Sequence, residues 1–265
     1  MSIELAILQK WINESDNVVF ISGRDFSKDA GFPDYREMDE DYRKKYRFSP
    51  SEMLRLSFLQ RSPTIFFRWY RERVLAPLLE AQPGIAHETL AKLEASGKLK
   101  AILTVNIDGI HQEAGSKNVL ELHGSVMRTW CAKCDEYMDF FKIADSPTVV
   151  PQCTVDMCGD YIRPAIVLEE EPYDLELIGK AIEYVKAADV LIIDGSALRE
   201  FPVPNLMKAY QGHKLVLINT PPLVFDSRAG VVVRNCGTFN DMFSNLELDF
   251  TPVEEKPQPE TTKEP

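Results

Sequence analysis

The chain is short of positive charge, of cysteine and of long apolar runs. Lys and Arg number 30 against 41 Asp and Glu, giving a net charge of −11 and a pI near 5.0. Such a surface repels a phosphate backbone, so nucleic acid is disfavoured as a direct partner. No apolar stretch approaches the roughly 20 residues of a membrane-spanning helix, so no membrane partner is expected. Glu4, Lys10, Glu14 and Asp16 interrupt the first apolar residues. A secretory leader would keep such a stretch unbroken, and the expected location is cytoplasmic. Cysteines are few and odd in number, five in 265 residues, which argues against a disulfide framework in a reducing compartment. Hydrophobic residues make up 45% and charged residues 27%, as in an ordinary soluble globular protein. The length suits one large domain, or one domain plus a small module.

The cysteines that are present stand at metal-binding spacing. Cys131 and Cys134 form one knuckle, and Cys153 and Cys158 form a second after an eighteen-residue interval. Two such knuckles deliver four thiolates to one zinc ion tetrahedrally, which leaves no open coordination position and makes the ion structural. Cys236 stands alone and reads as a buried small apolar residue.

Periodicity gives the rest of the organisation. Leu5, Ile7, Leu8, Trp11 and Ile12 mark an amphipathic helix over 3–15. The run 17–22 is a short apolar strand that ends at Gly23, and a strand followed by a glycine turn opens a nucleotide-binding α/β unit. Residues 36–80 read as a helical insertion, since a crossover of that length is not structureless. Further helices are expected over 87–96 and 175–187, and strands over 100–104, 119–122, 164–168, 189–193 and 214–218. The expected fold class is α/β: a Rossmann-like, doubly wound parallel sheet with helices on both faces. It is built from 1–124 and 164–250, with 164–168 resuming the sheet. A small four-cysteine module spans 125–163. The Pro/Glu/Thr-rich tail 251–265 reads as disordered. Ligands of such sheets sit beyond the strand C-terminal ends, where Gly23, Asn106, His123, Val167, Gly195 and Asn219 all fall.

Four blocks, in order, carry a family resemblance. They are Gly31-Phe-Pro-Asp-Tyr-Arg36, Asn106-Ile-Asp-Gly-Ile-His-Gln-Glu-Ala-Gly115, Leu122-His-Gly-Ser125 and Ile218-Asn219, with the cysteine module after the third. From about residue 5 to 248 the chain resembles the sirtuins, the NAD-dependent protein-lysine deacylases. The runs 66–73 and 225–229 resemble the bacterial branch. The resemblance implies NAD as co-substrate, an acylated protein or peptide as partner and a structural zinc. It implies transfer of the acyl group to ADP-ribose with release of nicotinamide. On this reading His123 is the base that takes a ribose-hydroxyl proton, a role that suits a neutral imidazole near pH 7. Asn106 contacts the nicotinamide ribose and Asp108 the carboxamide. Asp34, Tyr35 and Arg36 belong to the cofactor loop, Gly23 and Arg24 to the first turn, and Gly195, Ser196 and Asn219 to later cofactor-binding turns. Val167 and Glu169 line the acyl-lysine pocket. Tyr70 and Arg73 have the Tyr-x-x-Arg spacing of members that prefer acidic acyl groups, although charged and aromatic residues on a helix are more often packing and a solvated face.

The departures from the family pattern cluster on ligand-facing positions. Gly23-Arg24-Asp25-Phe26-Ser27 replaces Gly-Ala-Gly-Ile-Ser, Val105 replaces a glutamine, Ala197 replaces a hydroxyl residue, and Glu169 takes the place of an aromatic wall. A carboxylate at that wall disfavours a neutral apolar acyl chain. Three readings therefore stand at this point: an active deacylase with altered specificity, a catalytically silent binding module, and an ADP-ribosyl transferase.

Overall fold

The computed structural model describes residues 2–220, 230–234 and 236–253. The 225–229 run and the tail from residue 254 lie outside the described residues. Nine strands occur among those described: β1 (Val18–Ser22), β2 (Leu99–Thr104), β3 (Val119–Glu121), β4 (Gly124–Cys131), β5 (Tyr137–Asp139), β6 (Ile162–Ile166), β7 (Val190–Asp194), β8 (Lys214–Ile218) and β9 (Val231–Val233).

Six of them form one sheet in the order β3-β2-β1-β7-β8-β9, all parallel. Every residue of β1 and β7 is buried, because helices cover both faces. Alternation divides β1 between the two layers. Val18 and Phe20 join the core beneath the helices Ile3–Asn13, Ile85–Ala95 and Phe239–Ser244. Val19 and Ile21 join the core beneath Leu175–Ala187 and Val203–Ala209. The chain leaves β1 toward β2 on one side and reaches β7 on the other. The order therefore reverses between β1 and β7, where a doubly wound sheet opens its ligand crevice.

The other three strands form an antiparallel sheet, β5-β4-β6. Here the structure corrects the sequence expectation. The 164–168 run does not resume the parallel sheet. Its strand is Ile162–Ile166, paired with β4 through Gly124↔Ile166 and Cys131↔Ile162. Pro164 fits this place, since β6 is an edge strand and proline donates no ladder bond.

The insertion is helical, from Glu40–Lys45 through Ala76–Glu80 with a π-turn at Arg71–Leu75. Its core is shared with the small sheet. Phe58, Phe66, Trp69 and Tyr70 pack in one cluster with Val126, Cys131, Ile143 and Ile162. Arg71 ties the two together by donating to the carbonyls of Ile143, Thr148 and Val149 at 2.7–3.3 Å.

Candidate active site

Two turns meet at the reversal point and hold each other. Asp194, fully buried at the end of β7, accepts from the N–H groups of Gly23 (3.1 Å), Phe26 (3.2 Å) and Ser196 (2.9 Å). Burial pushes its carboxyl up to about 6, because the charged form is disfavoured away from water. A side chain at Gly23 would lie 2.5 Å from Ser196 Oγ and 2.7 Å from the Ala197 nitrogen, so the close approach of the turns requires glycine. Gly195 abuts the backbone of Ile218–Thr220 in the same way.

Beyond these turns lies a cavity of about 30 Å³, bounded by Arg24, Ser27, residues 32–36, residues 105–108, Ser196 and Glu200. It gathers most of the residues expected at the cofactor site. Arg24 is half-exposed and reaches Asp34 at 3.5 Å and Glu200 at 4.0 Å. Arg36 pairs with Glu200 at 2.8 Å. Asn106 donates to the Gly23 carbonyl at 2.7 Å and lies 3.3 Å from Ser22 Oγ. Asp108 is buried, bonds to Ser27 Oγ and accepts from Ile110 N–H at 3.0 Å, and burial raises its pKa. Two guanidiniums, three hydroxyls, an amide and three carboxyls, of which Asp108 is buried, form at this switch point a donor and acceptor set suited to a dinucleotide. The volume holds only a water, so entry of a dinucleotide requires the lining to open.

A second cavity, of about 250 Å³, shares Tyr35, Arg36, Ile107 and Glu200 with the first. His123, Val167 and Glu169 line it. His123 sits on the link from β3 to β4 and is 8% exposed. Gly124 after it has φ +76, and a Cβ there would lie 2.1 Å from the Ala165 carbonyl oxygen, so only glycine lets the chain turn here. His123 Nε2 lies 2.6 Å from the Phe201 carbonyl oxygen. A carbonyl can only accept, so Nε2 carries the proton and Nδ1 is the basic nitrogen. Burial lowers the pKa of His123, and the ring is neutral at pH 7. Glu169 pairs with Arg55 at 3.2 Å on the rim.

Gly23 and Gly195 lie in the turns behind the first cavity, and three further expected site residues are not brought to either cavity. Tyr70 is wholly buried and stacked on Phe66 with ring centroids 5.7 Å apart. Arg73 grips Asp39 through two bonds of 2.7 and 2.8 Å. Neither residue lines either cavity, so their placement lends the acidic-acyl reading no support. Asn219 turns its side chain to Cys236 and Gly237. Cys236 is half-buried, less enclosed than its apolar reading implied. Sequence reasoning missed Asp194, Glu200, Tyr173 and Phe201. Only Asp194 left a signal, as a carboxylate closing the apolar run Val-Leu-Ile-Ile.

The four knuckle cysteines lie together, with all sulfurs within 4.8 Å of one another. Cys131 and Cys158 are 3.5 Å apart, and Cys134 and Cys153 are 3.8 Å apart. Zinc–sulfur bonds of about 2.3 Å put tetrahedral sulfurs about 3.8 Å apart. Lys133 N–H and Val155 N–H each approach a sulfur at 3.4 Å, the orienting contacts that a thiolate ligand needs. The donor set fits zinc.

Residues 23–202 match the Sir2 family. A relative from Clostridium tetani (strain Massachusetts / E88), an NAD-dependent protein deacetylase, is 43% identical over 86% of this chain and 92% of its own length. Another NAD-dependent protein deacetylase, from Clostridium perfringens (strain 13 / Type A), is 42% identical over 86% and 93%. Among solved structures, a sirtuin studied for substrate affinity has a TM-score of 0.81 at 30% identity, over 93% of this chain and 98% of that one. A Sir2 complex with a p53 peptide and NAD+ has a TM-score of 0.77 at 30% identity, over 92% and 96%.

Proposed function

Because the chain belongs to the Sir2 family, we propose that it is an NAD-dependent protein-lysine deacylase that moves an acyl group from lysine to ADP-ribose and releases nicotinamide. The observation that carries this reading is a buried, neutral His123 whose cavity adjoins one lined by Arg24, Arg36, Asn106 and Asp108. NAD, when bound, supplies the ribosyl carbon that receives the acyl oxygen and the nicotinamide that departs.

The chain's own residues do the rest. His123 accepts a hydroxyl proton at Nδ1, while Phe201 fixes the tautomer by holding Nε2–H. The resulting imidazolium is supported by the Phe201 carbonyl at Nε2–H, while Arg36 opposes it and Glu200, paired with Arg36 at 2.8 Å, favours it. Arg24 and Arg36 meet the diphosphate, and the loose 3.5–4.0 Å contacts of Arg24 leave its guanidinium able to change partners. Asn106 holds the ribose and Asp108 the carboxamide. Gly23, Gly195 and Ser196 shape the floor. Asp34 and Tyr35 form one wall. Val167 and Glu169 flank the acyl-lysine of a protein or peptide substrate. Cys131, Cys134, Cys153 and Cys158 hold a zinc that stabilises the small sheet and takes no part in the chemistry. No helix among the described residues is long and apolar enough to cross a membrane.

The test is incubation with NAD and a panel of acyl-lysine peptides, following nicotinamide and O-acyl-ADP-ribose. Equal amounts of both products, abolished in His123→Ala, are expected. No nicotinamide release from any acyl-peptide would sink the reading.

A further inference from the structure

The outer side of the helical insertion takes no part in either cavity. There the segment 45–48 lies against 65–72 and leaves an open groove of about 680 Å³. Its floor is apolar: Ile65 is 37% exposed, and half-buried Phe48 is braced edge-on by Phe58 with centroids 5.0 Å apart. Its walls are basic. Lys45, Arg47, Arg68 and Arg71 line it, against Glu72 as the one acid.

The existing partners identify which charges are free. Glu72 is already neutralised, by Lys45 and by the Tyr46 hydroxyl at 2.8 Å. Arg71 spends its donors on the carbonyls of Ile143, Thr148 and Val149 beside the small sheet. Arg47 and Arg68 are exposed and have no carboxylate partner among the described residues. Two unspent guanidiniums above an apolar floor stand out on a chain of net charge −11, where most surface would repel an anion.

We infer that this groove docks an acidic protein segment bearing a large apolar side chain, with Arg47 and Arg68 taking its carboxylates and Phe48 and Ile65 its apolar residue. The charge pattern chooses the partner. Guanidinium forks match carboxylates, and Arg with aromatic neighbours is the composition of binding hot spots. A long phosphodiester would extend beyond the groove onto repelling surface, and it offers the floor no aliphatic group. The acidic remainder of the protein also orients the encounter, since this face carries unspent positive charge.

A fluorescein-labelled peptide of Asp, Glu, Leu and Phe, titrated with the full chain and followed by anisotropy, tests the inference. Saturable binding that weakens with salt is expected, with no binding of the Asn/Gln version. Arg47→Glu with Arg68→Glu should weaken it at least ~tenfold, and Ile65→Ser should weaken it without changing surface charge. The milder Arg47→Ala with Arg68→Ala, checked for an unchanged melting temperature, separates docking from folding. All these variants should still deacylate a short acyl-peptide. Unchanged binding in the charge-reversal variant overturns the inference. So does absence of binding to the wild-type chain, or equal affinity for a single-stranded oligonucleotide. A chain ending at Val253 that binds the peptide at least ~tenfold tighter would also overturn it, since the acidic tail of the chain itself would then be the occupant.

Discussion

His123 and Asp194 are both buried titratable groups, and burial shifts them in opposite directions with different consequences. At His123 burial lowers the pKa, so the basic form persists below the usual imidazole range. The acid limb of kcat/KM should accordingly fall below that of a solvent-exposed histidine, and His123→Ala should lose about a hundredfold or more. A pH–rate series on both proteins checks this. Asp194 is a raised carboxyl: its folded value is about 6 against an ordinary 3.8. A raised folded value means that its contribution is fully present below 3.8 and is lost as pH rises through 6, by on the order of 3 kcal/mol. Asp194→Asn removes a contribution that declines with pH. The melting temperature of that variant should climb more steeply than wild type between pH 4 and 6. A parallel dependence in the two proteins would count against this account. The different legibility of the two residues has a physical cause. His123 announces itself beside a turn glycine and inside a family block. Asp194 acts on Gly23 across 171 positions of sequence, and only strand pairing brings those turns together.

Among the elements, the segment after β6 is the most informative. It is fastened to the insertion by Leu56 N–H to the Glu169 carbonyl (3.1 Å) and Glu169 N–H to the Leu54 carbonyl (2.9 Å). Glu170 has φ +79, a conformation that costs a non-glycine residue about 1 kcal/mol. Its carboxylate takes both the N–H and the hydroxyl of Ser57 at 3.0 Å, which offsets that strain by completing the helix Leu56–Arg61. This clasp holds Glu169 at the rim of the His123 cavity. Glu169→Leu should therefore raise the butyryl-to-acetyl ratio of kcat/KM by a few fold, because an apolar chain no longer faces a carboxylate. An unchanged ratio would show that Glu169 points away from the acyl chain in the complex. The sequence announced β6 as a strand through its apolar run but could not name its sheet. Hydrophobicity reports burial and not partner, and the hint was Pro164, which a central parallel strand would not tolerate.

At the scale of the whole molecule, the cysteine sheet and the insertion stand or fall together. Phe66, Trp69 and Tyr70 share one apolar cluster with Cys131, Ile143 and Ile162, so loss of metal should loosen both. Treatment with a strong chelator, or Cys153→Ser, should lower the melting temperature and raise amide exchange over 50–75 as well as over 125–163, while β1 and β7 stay protected. Exchange confined to 125–163 would refute the shared core. Composition and periodicity made the parallel sheet, the insertion and the metal knuckles legible. They did not reveal that the last two are one body, because the contacts that join them are long-range. That body is also built from two stretches of chain separated by β2. Its parts meet across a long intervening loop that includes β2, and closing such a loop is slow. Docking of the insertion onto the small sheet should thus be a late event in refolding: amide protection over 50–75 should return well after the parallel sheet has regained its circular dichroism.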